Sequence, residues 1–227
     1  LRTVLVGYAF AVTTPAEVGE VAARVRMHEG VAGPRVVGLV MVEKLLHSML
    51  ALVPGLPALV LFATYDPRLA WLSGAVLCAV VVTVLAFRGR LARLRFDARW
   101  PRWTRVAQTL REVGHVKVST LWKLTISTSL ILATYVLQEY FLINAVTTLG
   151  IVDTWNGFWA GIGLRTLAPF FIGDLGIREA SHVVFFGRYG VAPQAAMATS
   201  LLMFAVNILL PTLLGLVLLF TKERARS

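Results

Sequence analysis

The sequence is poor in charged side chains, which make up only 15% of its 227 residues, whereas an average soluble domain carries about 25%. This shortage excludes an ordinary soluble domain. Hydrophobic residues account for 57% of the chain, and the mean hydropathy is +0.74. Several apolar runs reach the roughly 20 residues that cross the hydrocarbon core of a bilayer. The sequence therefore predicts an all-α, polytopic transmembrane helical bundle.

Residues that build metal and catalytic sites are also scarce. The only cysteine is Cys78, so neither an internal disulfide nor a multi-cysteine zinc site can form. The sequence contains no P-loop, nucleophile elbow or H-E-x-x-H motif. Glu179 and His182 have the E-x-x-H spacing of a di-iron site, but the second such motif that this site requires is absent. We therefore expect no metal, no other cofactor and no enzymatic activity.

The long apolar runs divide the chain into candidate membrane spans. These are 36–53, 69–87, 121–143 and 195–220, with shorter pieces at 1–13, 56–64 and 157–168. No charged segment with a cleavage site precedes the first run, so a signal peptide is not indicated. We interpret residues 1–227 as a single transmembrane domain and expect that a preceding stretch of sequence is missing.

Positive charge is concentrated in one segment, residues 88–123, where ten Lys or Arg and two Asp or Glu give +8 of the total +10. Basic loops stay on the cytoplasmic side, so we predict that this loop and the basic C-terminus are cytoplasmic. Trp103, Val106 and Leu110 recur at helical spacing, which predicts an amphipathic helix on an anionic lipid surface. A topology signal without further role is the alternative. We expect no nucleic-acid partner.

Three polar residues, Glu43, Lys44 and His47, interrupt the first long apolar run. A charge at the centre of a spanning helix costs about 2.5–3.5 kcal/mol on insertion scales, so such groups usually face a bundle interior or a wet cavity. Glu43 and His47 are one helical turn apart and share a face. They belong either to a functional site or to a structural cluster of paired charges. Gln138 and Glu139 raise the same question more weakly.

The stretch "APFFIGDLGIREASHVV" (168–184) places helix breakers and charges between apolar runs. Pro169 lacks a backbone donor, while Gly173 and Gly176 permit backbone angles that other residues avoid. Together they predict a broken or re-entrant segment, which survives at membrane depth only where protein buries it or where it lines a cavity. A helix beginning near Arg178 would then present free N–H groups that suit an anion.

A second stretch, "TTPAEVGEVAARVR", has the same arrangement of Pro15, Gly19 and Glu20. Both stretches read P-x-x-x-G followed by an acid, and they lie in opposite halves of the chain. Paired breakers of this kind indicate an internal, inverted repeat around a midplane site, and chance resemblance is the alternative. We predict that the two segments, Pro15–Glu20 and Pro169–Glu179, are non-helical turns or broken helices that face each other across the core.

These stretches together resemble the flippase-like integral membrane family, best known as the transmembrane half of lysylphosphatidylglycerol synthases. "TPAEVGE" fits its T-P-x-x-x-G-E pattern, and Glu43 and Lys44 in "VEKLLH" fit its E-[RK]-x-x-D pattern. "PFFIGDLGIREA" resembles P-x-S-I-G-G-L-G-x-R-E, with matches at Pro169, Ile172, Gly173, Leu175, Gly176, Arg178 and Glu179. His47, Phe171 and Asp174 depart from these patterns, where aspartate, serine and glycine are usual.

The resemblance implies transfer of an amphiphilic lipid, or of a lipid-linked headgroup, between the leaflets of the cell membrane. We expect Arg178 and the following helix N-terminus to hold a phosphate, because guanidinium suits bidentate phosphate binding. Glu20, Glu43 and Glu179 would pair with basic residues, including Lys44, or with a cationic headgroup. The alternatives are a membrane subunit or scaffold that transports nothing and, less favoured, an intramembrane enzyme.

The expected partners are membrane lipids with an anionic or lipid-linked headgroup. In full-length lysyl-lipid synthases a soluble aminoacyl-transferase domain performs the chemistry, and no part of this sequence qualifies as that domain. A synthase domain on another chain, or a second copy of this chain, is therefore the protein partner that the resemblance implies.

Overall fold

A computed structural model of the protein describes residues 2–11, 18–27, 33–91, 116–167 and 176–224, and these residues form helices and short turns without a strand. The first four helices are α1 (Arg2–Ala11), α2 (Val18–Met27), α3 (Gly33–Thr64) and α4 (Pro67–Leu91). The others are α5 (Val118–Asn144), α6 (Ile151–Leu167), α7 (Ile177–Gly187), α8 (Pro193–Phe204), a π turn (Ala205–Leu209) and α9 (Leu210–Arg224). The predicted all-α bundle is confirmed.

Three helical stretches are long and apolar enough to cross a membrane: Arg35–Thr64, Val118–Asn144 and Pro193–Leu218. The first merges two runs that the sequence analysis treated separately, because α3 continues through Pro54 and Pro57. Proline removes one helical hydrogen bond, but spanning helices tolerate it where neighbouring groups satisfy the freed carbonyl. The division of this region into two pieces was therefore wrong.

The last span contains a single π turn between α8 and α9. Pro211 lies two residues after the turn and cannot donate a backbone hydrogen bond to it, which explains why the helix widens there. Within the turn, Asn207 Nδ2 donates to Gln138 Oε1 of α5 at 2.9 Å. The widened turn is thereby tied to a neighbouring span.

Helix α6 forms the centre of the bundle and packs against α3 on one side and α7 on the other. Gly55 of α3 and Gly163 of α6 bring the two backbones so close that a Cβ on Gly163 would lie 2.6 Å from the carbonyl oxygen of Gly55. On the α7 side, the buried ring of Phe186 lies over Gly157. The short apolar piece at 157–168 is thus part of a central helix that starts earlier, at Ile151.

The outer surface of the bundle is apolar. Large exposed hydrophobic side chains occur on the helices that surround α6, including Trp71, Val82, Trp122, Leu130, Phe141 and Val217. An exposed apolar surface of this extent marks a membrane or protein contact. Together with the three spans, it identifies a membrane protein.

Part of each predicted break, 15–17 in the first and 169–175 in the second, lies outside the described residues. Helix α1 ends at Ala11 and α2 begins at Val18, while α6 ends at Leu167 and α7 begins at Ile177. The predicted helix start near Arg178 is confirmed, because α7 begins at Ile177, and Gly19–Glu20 already belong to α2. Glu20 and Glu179 lie in the first turns of α2 and α7, where an acid interacts favourably with the helix dipole.

Several predicted features lie outside the described residues. They are Pro15, Pro169, Gly173, the substituted positions Phe171 and Asp174, and the amphipathic helix around Trp103 to Leu110. The ends of the predicted basic loop are helical rather than loop, because α4 extends to Leu91 and α5 begins at Val118. The cytoplasmic position of the loop stays a prediction.

Candidate functional site

The first polar cluster joins α2 to α3 and contains Glu20, Arg24, Glu43 and Lys44; we call it the α2–α3 charge network. Arg24 Nη1 donates to Glu43 Oε2 at 2.6 Å, and Arg24 Nη2 donates to Glu20. Lys44 Nζ donates to the other oxygen of Glu20 at 2.5 Å. Two acids and two bases therefore form an electroneutral chain of ion pairs between the helices.

The α2–α3 charge network is buried at one end and accessible at the other. The side chain of Glu20 is 7% exposed, whereas that of Glu43 is 41% exposed. The Lys44 side chain is about as exposed as that of Glu43, and His47 is exposed on the next turn of α3. A polar ligand could therefore reach Glu43 and Lys44 without displacing Glu20 first.

The second polar cluster lies where α7 begins. Gly176 precedes the helix with a φ of 86°, in the left-handed region that glycine adopts without steric cost. Its backbone N–H donates to Glu179 Oε2 at 2.6 Å, so the acid of the first turn caps its own helix. The other carboxylate oxygen accepts from Arg178 Nη2 at 3.1 Å and from Arg178 Nε at 3.3 Å.

Glu179 is held in its charged form. Partial burial tends to raise the pKa of its carboxyl, but backbone N–H groups of Glu179 and Gly176 and the neighbouring charge of Arg178 outweigh it, so the pKa lies below its usual value. The helix start that the sequence suggested for an external anion thus already binds an internal one. The geometry is that of an anion site filled by the protein's own carboxylate.

Arg178 is 3% exposed, which is rare for arginine unless it is paired. Its guanidinium carbon lies 4.6 Å from the centre of the Phe204 ring on α8, a cation–π distance. The ring supports one face of the guanidinium plane while the edge formed by Nε and Nη2 binds Glu179. Arg178 is therefore held by packing as well as by charge.

A third polar contact lies deeper in the same region. Glu139 of α5 is fully buried, and its Oε2 lies 3.2 Å from Nε2 of His182 on α7. His182 Nδ1 lies 3.0 Å from the backbone carbonyl oxygen of Arg178. The pair links the C-terminal part of a spanning helix to the second turn of α7.

The predicted site residues thus fall into two groups with different partners. Glu20, Glu43 and Lys44 meet in the α2–α3 charge network, whereas Arg178 and Glu179 pair with each other at the start of α7. Glu43 is bound by Arg24 and not by Arg178.

Arg24, and the pairing of Glu139 with His182, were not predicted from the sequence. Arg24 lies four residues after Glu20, and that spacing on a helix would have indicated an ion pair. Pairing of Glu139 with His182 had no such signal, because 43 residues separate them and only the packing of α5 against its neighbours brings them together. No group of three potential metal ligands occurs in the part of the chain that the structure describes.

Comparison with known proteins gives one match. The sequence model of the family described as "Lysylphosphatidylglycerol synthase TM region" matches residues 1–215, nearly the whole chain. No curated protein and no solved structure matches the chain.

Proposed function

The chain belongs to the lysylphosphatidylglycerol synthase transmembrane family, and from that premise we propose that it moves an anionic phospholipid between the leaflets of the cell membrane. The two polar clusters would bind the headgroup and let it pass, and they would catalyse no reaction. Acyl chains would stay in lipid against the apolar outer surface. The basic loop and the C-terminus would face the cytoplasm.

One observation carries the proposal: Arg178 is buried in the first turn of α7, and it holds a carboxylate there. Buried arginine binds phosphate well because its planar fork forms two parallel hydrogen bonds. The site is already shaped for an anion, since Glu179 fills it with support from the N–H of Gly176. In the proposed cycle the phosphate of the lipid replaces Glu179 on Arg178.

The α2–α3 charge network would take part by exchanging partners. Its accessible residues, Glu43 and Lys44, can each release an internal partner and accept an oppositely charged part of the headgroup. An exchange of this kind leaves no buried charge unpaired, which would cost about 3–5 kcal/mol. The network therefore suits headgroups that carry charges of both signs as well as purely anionic ones.

A membrane scaffold that transports nothing is the second candidate. It is favoured by the observation that Glu20, Glu43, Arg178 and Glu179 all have partners of opposite charge within the protein. On this interpretation the ion pairs only hold broken helices together. Transport measurements on folded variants separate the two candidates.

The test is transport by the full chain in vesicles that contain a fluorescent phosphatidylglycerol, with an external reductant that bleaches only the outer leaflet. We expect the wild-type protein to raise the bleached fraction well above half. Arg178→Lys should slow transport at least tenfold, because lysine keeps the charge but loses the planar fork. Thermal stability of the same preparation checks that the variant is folded.

Arg188→Lys is the matched control. Arg188 follows α7 directly, donates to the carbonyl oxygen of Phe62 at 2.5 Å and lies over aromatic rings, so this substitution changes an arginine near the opposite end of that helix. Its transport should stay close to wild type. Equal transport by folded Arg178→Lys and Arg188→Lys proteins would remove Arg178 from the mechanism. No transport by the wild type would favour the scaffold.

A further inference from the structure

One buried titratable pair plays no part in the headgroup exchange proposed above. Glu139 of α5 is 0% exposed and His182 of α7 is 3% exposed. Their facing atoms, Glu139 Oε2 and His182 Nε2, are 3.2 Å apart. Ionisable groups inside a membrane domain are costly and usually functional. What this pair can do depends on the number of protons that it holds.

The hydrogen bonds of His182 fix that count. The carbonyl oxygen of Arg178, 3.0 Å from Nδ1, can only accept, so Nδ1 carries a hydrogen. In neutral imidazole Nε2 is then a bare acceptor, and an ionised Glu139 would face it with a second acceptor. The contact therefore requires one further proton between them, on either the carboxyl or the imidazole. The pair is neutral overall when it holds that proton.

The second oxygen of Glu139 is consistent with a protonated pair. Glu139 Oε1 is buried and, among the residues that the structure describes, has no hydrogen-bond partner. A full carboxylate charge with a single contact would be costly in this setting, because a buried charge needs both a partner and hydrogen bonds. The proton on the pair removes that cost.

The charges nearest in sequence are those of Arg178 and Glu179, one turn earlier on α7 than His182. Arg178 and His182 are four residues apart and share a helix face. Helix α8, which packs against both α5 and α7, carries no titratable side chain. Helices α3 and α6 also pack against α5 or α7, and their titratable residues are Arg35, Glu43, Lys44, His47, Asp153 and Arg165. Besides Glu139, α5 itself carries Lys123, Tyr135 and Tyr140.

We propose that Glu139 and His182 form a proton-binding site whose occupancy is linked to the anion on Arg178. Release of the shared proton to water leaves a carboxylate opposite a neutral imidazole, and the pair then carries one negative charge on the face of α7 that bears Arg178. A phosphate that displaces Glu179 from Arg178 adds negative charge near the pair, because Glu179 stays on the same helix, so anion binding is accompanied by proton uptake. The linkage rests on the proposed function, whereas the proton site itself does not.

The proton site is tested without any ligand by infrared difference spectroscopy of the full chain in nanodiscs, titrated between about pH 5 and pH 8. We expect carboxyl or imidazolium bands of one titrating group that disappear as the pH rises. These bands should be missing in Glu139→Gln, since the introduced amide can donate to Nε2 of neutral His182 but cannot titrate. Bands that do not change with pH in the wild type would overturn the proposal, whether or not the variant folds.

Asn207→Ala is the matched control, because it breaks the other polar contact of α5, with Gln138, without removing a titratable group. Its titrating bands should match those of the wild type. If the bands were lost in both variants, the bands would report a general loosening of α5. This result would contradict their assignment to Glu139 and His182.

The linkage is tested by calorimetric titration of short-chain phosphatidylglycerol in two buffers of different ionisation enthalpy. We expect the wild type and Asn207→Ala to take up as much as about one proton for each lipid bound, and Glu139→Gln to bind without uptake. Binding without uptake in the wild type would overturn the linkage and leave the proposed function intact. Absence of binding would overturn the proposed function and with it the linkage, while the infrared titration still decides the proton site.

Discussion

The two polar regions of the bundle differ in how their charges are shared. In the α2–α3 charge network each of Glu20 and Arg24 has two partners, and the outer members are accessible. Near the start of α7, Glu139 and His182 pair with each other, and both are almost completely buried. Neither has a second charged partner among the residues that the structure describes. The first arrangement can lose one member and remain paired, whereas the second cannot.

The α2–α3 charge network is therefore suited to exchanging partners, whereas the buried pair of Glu139 and His182 is suited to holding a fixed arrangement of side chains. Half-exposed ion pairs contribute little to stability and rearrange at low cost. Buried pairs contribute little net stability either, but removing one partner is expensive. The comparison therefore predicts opposite responses to mutation, which can be measured as changes in stability.

The largest effect is expected for His182→Leu. This change leaves the fully buried carboxyl of Glu139 without its partner, and we expect it to lower the free energy of unfolding by about 3 kcal/mol. Thermal or denaturant unfolding of the purified protein in mixed micelles gives the measurement. The double variant with Glu139→Leu should recover part of the loss, because an apolar pair fills the same space without a buried charge.

A stable His182→Leu protein, or a double variant that is no better than the single one, would contradict the contrast drawn here. Either result would mean that Glu139 finds another partner. The contact between α5 and α7 would then be incidental to the stability of the bundle.

The smallest effect is expected for Lys44→Gln in the α2–α3 charge network. Glu20 keeps Arg24 as a partner, and Lys44 is half exposed, so the loss should be no more than about 1 kcal/mol. Arg26→Gln, on an exposed position of α2, serves as the control that changes charge without touching the network. A loss for Lys44→Gln as large as for His182→Leu would show that the two regions do not differ.

Much of the fold could be predicted because apolar run length and helix breakers are local signals. The four long runs became helices, and both breaker stretches separate one helix from the next. The exact helix starts could not be predicted, because Gly19 is compatible with both helix and turn until packing decides. The continuity of α3 through Pro54 and Pro57 likewise depends on neighbours that the sequence does not specify.

The candidate site was predicted only in part, because some of its contacts are local in the sequence and others depend on packing. Adjacent residues such as Arg178 and Glu179 can be recognised from a motif, but their mutual pairing and the capping of Gly176 depend on where α7 begins. The partner of Glu43 depends on how α2 lies against α3. Long-range pairs such as Glu139 and His182 have no local signature, and only the packing of the bundle specifies them.

The central claim is that Glu179 occupies the position of a lipid phosphate on Arg178. The most direct measurement is the affinity of short-chain phosphatidylglycerol for Glu179→Gln relative to the wild type, by calorimetric titration. Glutamine can still cap the helix through Gly176, while the competing charge is gone. Asp153→Asn, which neutralises the first-turn acid of α6, controls for the change in net charge.

We predict that Glu179→Gln binds the lipid about tenfold more tightly than the wild type, a gain of about 1.4 kcal/mol, while Asp153→Asn binds it unchanged. Unchanged or weaker binding by a folded Glu179→Gln protein would contradict the account, because Glu179 would then not compete with the phosphate for Arg178.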